Sequence, residues 1–168
     1  MSRRPIRVLV VDDHVTIRDG LRMYLEIFDD IEVVGDAADG SAALALLDAP
    51  GAAPPDVVLM DISMRPMDGV EATRQVRARH PGVAVVMLSS YTEEERVRRA
   101  LEAGAASYVV KDAAAEEIAA AVRLAHRGHD PAIVLRVAPS QHDDAAGAQY
   151  GCPPRGTPGS RRVRPGPP

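Results

Sequence analysis

A chain of 168 residues is long enough for one domain with a substantial core and too short for two of ordinary size. It has no Trp, one Phe and four Tyr, and a formal net charge of -4, which excludes an aromatic platform for single-stranded nucleic acid and a chain-wide affinity for phosphate backbones. The one cysteine, Cys152, allows no internal disulfide, and no apolar run approaches the roughly 18 residues of a membrane span. The N-terminus "MSRRPIRVLVVDDH" turns acidic where a signal peptide would offer a cleavage site, so the expectation is a soluble cytoplasmic protein.

In chain order, "IRVLVV" reads as a first strand, followed by a helix over roughly 14 to 28 with Ile17, Leu21, Leu25 and Phe28 along one stripe. "IEVVGDA" is a second strand and roughly 40 to 48 a second helix. "PDVVLM" precedes a helix over roughly 68 to 79, "VAVVML" one over roughly 92 to 103, and "ASYVV" one over roughly 113 to 127. Thr92 and Asp112 stand where the last two helices need caps, and Gly104 and Gly128 where a left-handed residue would end them. Short apolar strands alternating with helices predict an α/β fold, a doubly wound parallel sheet covered on both faces.

Composition changes near residue 139. The last thirty residues hold seven of the fourteen prolines and five of the thirteen glycines with almost nothing aliphatic to bury, a composition that cannot offset its ordering entropy. Residues 1–128 therefore form the expected domain and 129–168 a disordered Pro/Gly/Arg-rich tail. Residues 1 to 138 carry a net charge of -6 and the remainder +2, a weakly basic extension best read as solvated.

In an open parallel sheet the functional crevice lies beyond the carboxyl ends of the strands. The residues there are Asp12 and Asp13 after strand 1, Asp61 after strand 3, Ser89 after strand 4 and Lys111 after strand 5. Singly these are ordinary caps and turn residues; their coincidence at four strand ends carries the weight. Converging carboxylates repel unless a cation shares the site, and Mg²⁺ takes one or two carboxylates, keeps several waters and completes its shell with phosphate oxygen. One carboxylate is then able to attack phosphorus and form an aspartyl phosphate, with Lys111 and Ser89 serving the oxygens of the transferring group. Lys111 is the only lysine beside nineteen arginines. A narrow cationic slot beside an aspartate favours its compact ammonium over a planar guanidinium fork, although a coding bias that spared one lysine by chance is the plain alternative.

The stretches "VLVVDDH", "VVLMDISMRPMDGVEATRQVR" and "VVMLSSYTEEERVRRALEAGAASYVVKD" resemble the receiver domain of two-component response regulators, and within it the NarL/LuxR-type subfamily, over residues 6 to 128. The resemblance implies the flavodoxin-like fold, five parallel strands in the order 2-1-3-4-5 with five helices. It implies Asp61 as phosphoacceptor for a phosphoryl group from a sensor histidine kinase. Mg²⁺ would be bound by Asp13 directly, by Asp12 largely through water, by Asp61 and by the Ser63 backbone carbonyl. Ser89 is implied as the switch hydroxyl, Lys111 as the cation on the phosphoryl group, and Tyr108 as an aromatic whose burial changes with Ser89; from the residues alone Tyr108 reads as a half-buried strand aromatic. Self-association on phosphorylation is a further expectation, as is chemistry confined to the protein's own phosphorylation and dephosphorylation.

Two departures qualify the resemblance. The family has proline four residues beyond the phosphoacceptor, where this chain has Arg65 followed by Pro66, so a different local path is expected. Residues 129 to 168 show no periodic pattern for a recognition helix, so no direct DNA binding is expected from this chain. A stand-alone receiver acting through protein contacts or as a phosphate sink, and a frameshifted remnant of a transcription regulator, are the alternatives. A haloacid dehalogenase-type phosphatase needs an aspartate two residues after its nucleophile, and "VVDDHVT" offers His14 or Val15; a P-loop hydrolase lacks its glycine-rich run. His14, His80, His126, His129 and His142 lack zinc spacing, and Met60, Met64 and Met67 read as core.

Overall fold

The computed structural model describes residues 4–51, 53–90 and 94–128. Five strands, β1 (Ile6–Val11), β2 (Ile31–Ala37), β3 (Val57–Asp61), β4 (Ala84–Ser89) and β5 (Ser107–Val110), alternate with five helices, α1 (Val15–Leu25), α2 (Gly40–Asp48), α3 (Gly69–Arg79), α4 (Glu94–Glu102) and α5 (Ala115–Arg127). All strand pairs are parallel and the order is β2-β1-β3-β4-β5. The expected α/β architecture and strand order are those observed.

Every residue of β3, β4 and β5 is buried, because helices cover both faces and no side of these strands meets water. β2 alternates between buried and exposed instead, although β5 at the opposite edge does not, and the register of β2 against β1 shifts between Val8 and Leu9, where Val34 is passed over and Gly35 pairs with Leu9. Met60 and Met64 belong to the core and Met67 packs against it, as their apolar character predicts.

The helix ends depart from the sequence reading in three places. α1 stops at Leu25 rather than reaching residue 28; Leu21 and Leu25 are buried, and Phe28 packs on the core from the turn that follows. Asp112 does not cap α5: the helix begins after Ala114, which has no side-chain acceptor for the first-turn N–H groups, and the Ala114 N–H donates to Glu117 Oε2 at 3.2 Å as the glutamate reaches back. Gly128 is extended (φ -134°) rather than left-handed, and its N–H still donates to Leu124 O, so the chain leaves α5 without a reversal that would need glycine. Gly104, by contrast, has the expected positive φ of 99°. Thr92 and the tail 129–168 lie outside the described residues.

Two aspartates cap the starts of α2 and α3. Asp39 accepts from Ala42 N at 2.9 Å and Asp68 from Glu71 N at 2.8 Å, each satisfying an otherwise orphaned helix N–H. Directly after Asp68, Gly69 packs so closely on the end of β3 that an added Cβ would lie 2.0 Å from the Asp61 carbonyl oxygen. Backbone cannot yield to such a contact as a flexible side chain can. Gly69→Ala is expected to lower stability by about 1–3 kcal/mol, the usual range for overpacking, read as a lower urea midpoint, and to shift the Asp61 and Ile62 amide resonances; an unchanged midpoint and spectrum would contradict the packing described.

Candidate functional site

Parallel strands deliver their last residues to one edge, and there the chain has placed its polar side chains. Asp61 is the last residue of β3, Ser89 the last of β4, Lys111 follows β5, and Asp12 and Asp13 open the turn from β1 to α1. Asp12, Asp61 and Ser89 are buried, at 0%, 2% and 0% exposure, amid a core otherwise almost wholly apolar.

Lys111 holds the group together. Its Nζ lies 2.5 Å from Asp12 Oδ2 and 3.1 Å from Asp61 Oδ1, and its backbone N–H donates to Ser89 O at 2.8 Å, which fixes where the side chain departs. Asp12 Oδ1 accepts from His14 N at 2.9 Å, and Asp61 Oδ1 accepts from Ser63 N at 3.2 Å. Asp61 Oδ2 is buried and has no hydrogen-bond partner among the described residues.

The electrostatics are incompletely balanced. Burial pushes the Asp61 carboxyl above its ordinary value; the Lys111 charge and the Ser63 N–H pull it down without cancelling that push, and the Asp12 charge adds to it. Burial acts against the Lys111 ammonium as well, but the hydrogen bond to Asp12 and the charges of Asp61 and Asp12 outweigh it, so its pKa is raised. One ammonium shared between two buried carboxylates is thus firmly charged, while Asp61 keeps an excess of negative potential. Such a site favours either a proton or a further cation.

Asp13 is exposed, and His14 Nδ1 lies 2.7 Å from its Oδ1. Asp12, Asp13 and His14 offer ligand atoms all within 4.8 Å of one another, so the histidine set aside in sequence stands beside the acidic pair. A cleft of about 530 Å³ is bordered by Asp13, Ser63, Arg65, Asp68, Arg96 and Arg99. Arg65 is exposed on this cleft, and its peptide bond to Pro66 is cis. Tyr108 is 6% exposed within β5, opposite Met87, and so is buried rather than half-buried.

Two arginines that sequence reasoning passed over join the site. Arg18 Nη1 donates to the Asp12 carbonyl at 2.7 Å, and Arg96 Nη1 donates to Ser63 Oγ at 3.0 Å, bridging α4 to the loop after Asp61. Arg18 was legible only as one helical turn beyond His14, and Arg96 only as one of the arginines of "EERVRRALE".

The model for the response regulator receiver domain matches residues 8–123. This chain belongs to that family. The response regulator protein VraR of Staphylococcus aureus is 44% identical over 135 residues, which cover 79% of this chain and 63% of that protein; the chain therefore spans under two thirds of the length of this relative. Among solved structures, the signal receiver domain of NarL from Mycobacterium tuberculosis is 37% identical with a TM-score of 0.69, covering 75% of this chain and 99% of that one. A LuxR-family two-component response regulator from Aurantimonas is 31% identical with a TM-score of 0.68, covering 74% and 86%. The receiver is thus of the LuxR/NarL-type kind, with the flavodoxin-like fold expected.

The imbalance at Asp61 sets the sign of two substitutions. Because its folded pKa is raised, the native state binds more protons than the unfolded one between the two pKa values, and stability is lost as pH rises through that window. Asp61→Asn is expected to be at least as stable as the wild type in chelator at neutral pH, by thermal denaturation. Lys111→Met leaves Asp12 and Asp61 uncompensated and is expected to cost about 3 kcal/mol at neutral pH, with a smaller deficit in mildly acidic buffer; a deficit that grows on acidification would contradict this assignment.

Proposed function

We propose that this receiver accepts a phosphoryl group onto Asp61 from a phosphohistidine of a sensor histidine kinase, in a Mg²⁺-dependent reaction, and that the acyl phosphate so formed switches its conformation. The observation that carries the reading is the buried Asp61 Oδ2 with no hydrogen-bond partner among the described residues, beside a Lys111 held charged by its neighbours. In the transfer, an Asp61 oxygen bonds to phosphorus as the phosphorus–nitrogen bond breaks and the electron pair leaves with the imidazole. The Lys111 ammonium, 3.1 Å from Asp61 Oδ1, is in reach of the oxygens of the incoming group. No other residue has to form a bond, so the chemistry is confined to the protein's own phosphorylation and dephosphorylation.

The donor set fits a hard divalent cation. Asp12 and Asp13 bring two carboxylates together, Asp61 would add a third and the loop through Ser63 a backbone carbonyl, and the orphaned Asp61 oxygen is a buried acceptor suited to a positive partner. These four residues would hold Mg²⁺, which when bound supplies the positive charge that the carboxylates lack and that a dianionic phosphoryl group needs.

For the switch, we assign Ser89 and Tyr108. Ser89 is buried at the end of β4, and its carbonyl is tied to the Lys111 N–H; Tyr108 lies on the adjacent strand, buried at the level of Met87. A phosphoryl group that draws Ser89 toward Asp61 would bias the β4, α4 and β5 side of the fold, in proportion to its preference for one of the two arrangements. The Arg96 bond to Ser63 couples α4 to the same loop. The partners proposed are the kinase and, on phosphorylation, a second copy of the chain, with control of transcription as the output and no direct DNA contact. None of the helices among the described residues is long and apolar enough to cross a membrane, and the cytoplasm is the proposed location.

Intact-mass measurement after incubation with Mg²⁺ and a small acyl phosphate tests the reading. The wild type is expected to gain one phosphoryl group, Asp61→Ala none, and Lys111→Arg less than the wild type, since a planar fork cannot enter the slot between two carboxylates as an ammonium does. A gain that persists in Asp61→Ala would move the acceptor elsewhere, and no gain in the wild type would contradict the proposal.

A further inference from the structure

Asp12 is restrained at both of its backbone polar groups. Its N–H donates to Ala37 O at 3.1 Å, at the end of β2, and its carbonyl accepts from Arg18 Nη1 at 2.7 Å. The same guanidinium donates through Nε to Asp36 Oδ2 at 2.8 Å, and Arg22 holds the other oxygen of Asp36 at 3.0 Å. Arg18 is thereby spanned between a carbonyl on the β1–α1 turn and a carboxylate on β2, with its side chain only 16% exposed.

The carbonyl that Arg18 holds lies in the peptide plane joining Asp12 to Asp13, so a bond to that oxygen fixes the direction in which the next residue leaves. We propose that Arg18 is a positioning residue for the cation site: by bridging the Asp12 carbonyl to the Asp36 carboxylate it sets the Asp12–Asp13 turn in the orientation that binds a divalent cation. The inference rests on the reading of the acidic edge as the Mg²⁺ site. Two donors in one rigid fork meet two acceptors at 2.7 and 2.8 Å, a task a lysine ammonium on a flexible stem performs poorly.

Arg18 is an unexpected neighbour for such a site on charge alone. A guanidinium beside the acidic pair opposes the approach of another cation, so a purely electrostatic account requires its removal to tighten Mg²⁺ binding. Positioning requires the opposite sign. The two accounts are therefore separable by direction.

Isothermal titration of Mg²⁺ into the metal-free full chain, with thermal denaturation in chelator alongside, reads that direction. Arg18→Gln is expected to weaken Mg²⁺ binding by about tenfold or more, the usual effect of losing a group that orients a ligand, and Arg18→Lys to restore little of it. Arg22→Gln, which removes an equal charge that does not reach Asp12, is expected to leave affinity unchanged or slightly raised. Asp36→Asn is expected to weaken binding in the wild-type background and to have no further effect in Arg18→Gln, whereas a simple loss of negative charge would act equally in both. Should Arg18→Gln fail to fold, Arg18→Lys and Asp36→Asn carry the same comparison. Unchanged or tighter binding in folded Arg18→Gln would overturn the inference alone; a wild type that binds no Mg²⁺ would overturn the cation site and this inference with it.

Discussion

The Lys111 ammonium, placed between the carboxylates of Asp12 and Asp61, is the contact on which the rest of the site depends. Two carboxylates buried at 0% and 2% exposure cannot share one edge of an apolar core unless some positive charge lies between them. Lys111 supplies that charge and is itself held charged in return. It does not finish the task, because Asp61 remains above its ordinary pKa and one of its oxygens has no hydrogen-bond partner among the described residues. A site that folds yet is short of positive charge suits the divalent cation and the phosphoryl group proposed for it. The lone lysine in an arginine-rich chain stands where one ammonium touches two carboxylate acceptors.

That slot exists because of the sheet. Parallel strands bring Asp12, Asp61, Ser89 and Lys111 to one edge, and the Lys111 N–H bonded to Ser89 O fixes the last of these against its neighbour strand. The loop after Asp61 is held from three directions: the Gly69 N–H donates to Ile62 O, the Ser63 N–H to Asp61 itself, and Arg96 to Ser63 Oγ. Gly69 permits the approach, having no Cβ to meet the Asp61 carbonyl. The polar edge is therefore a product of the same backbone pairing that makes the core, and a change in core packing around β3 is felt at the carboxylate it presents.

Sequence reading reached the fold and the central residues because both rest on local signals. Apolar runs bounded by turn residues mark strands, and a polar residue at the carboxyl end of such a run falls at the carboxyl edge of the sheet, which made Asp12, Asp13, Asp61, Ser89 and Lys111 visible together. It failed where a local signal had two outcomes that tertiary structure decides. Asp112 is as good a cap in sequence as any, but Glu117 reaching back to Ala114 sets the start of α5 two residues later. Phe28 continues the helical stripe of α1 yet packs from a turn, and Gly128 lies after a helix without being left-handed. Arg18 and Arg96 left no signal at all, since an arginine on an exposed helical face looks the same whether it ends in solvent or on a carbonyl of another element.

The central claim is that Asp61 is an under-compensated buried carboxylate awaiting a divalent cation. Its most direct test is a site-resolved ¹³C titration of the Asp61 carboxyl in the metal-free protein, repeated in the presence of Mg²⁺. The account predicts a midpoint above the ordinary aspartate value that moves down when Mg²⁺ is added. A midpoint at or below the ordinary value in the metal-free protein, or one that ignores Mg²⁺, would contradict it.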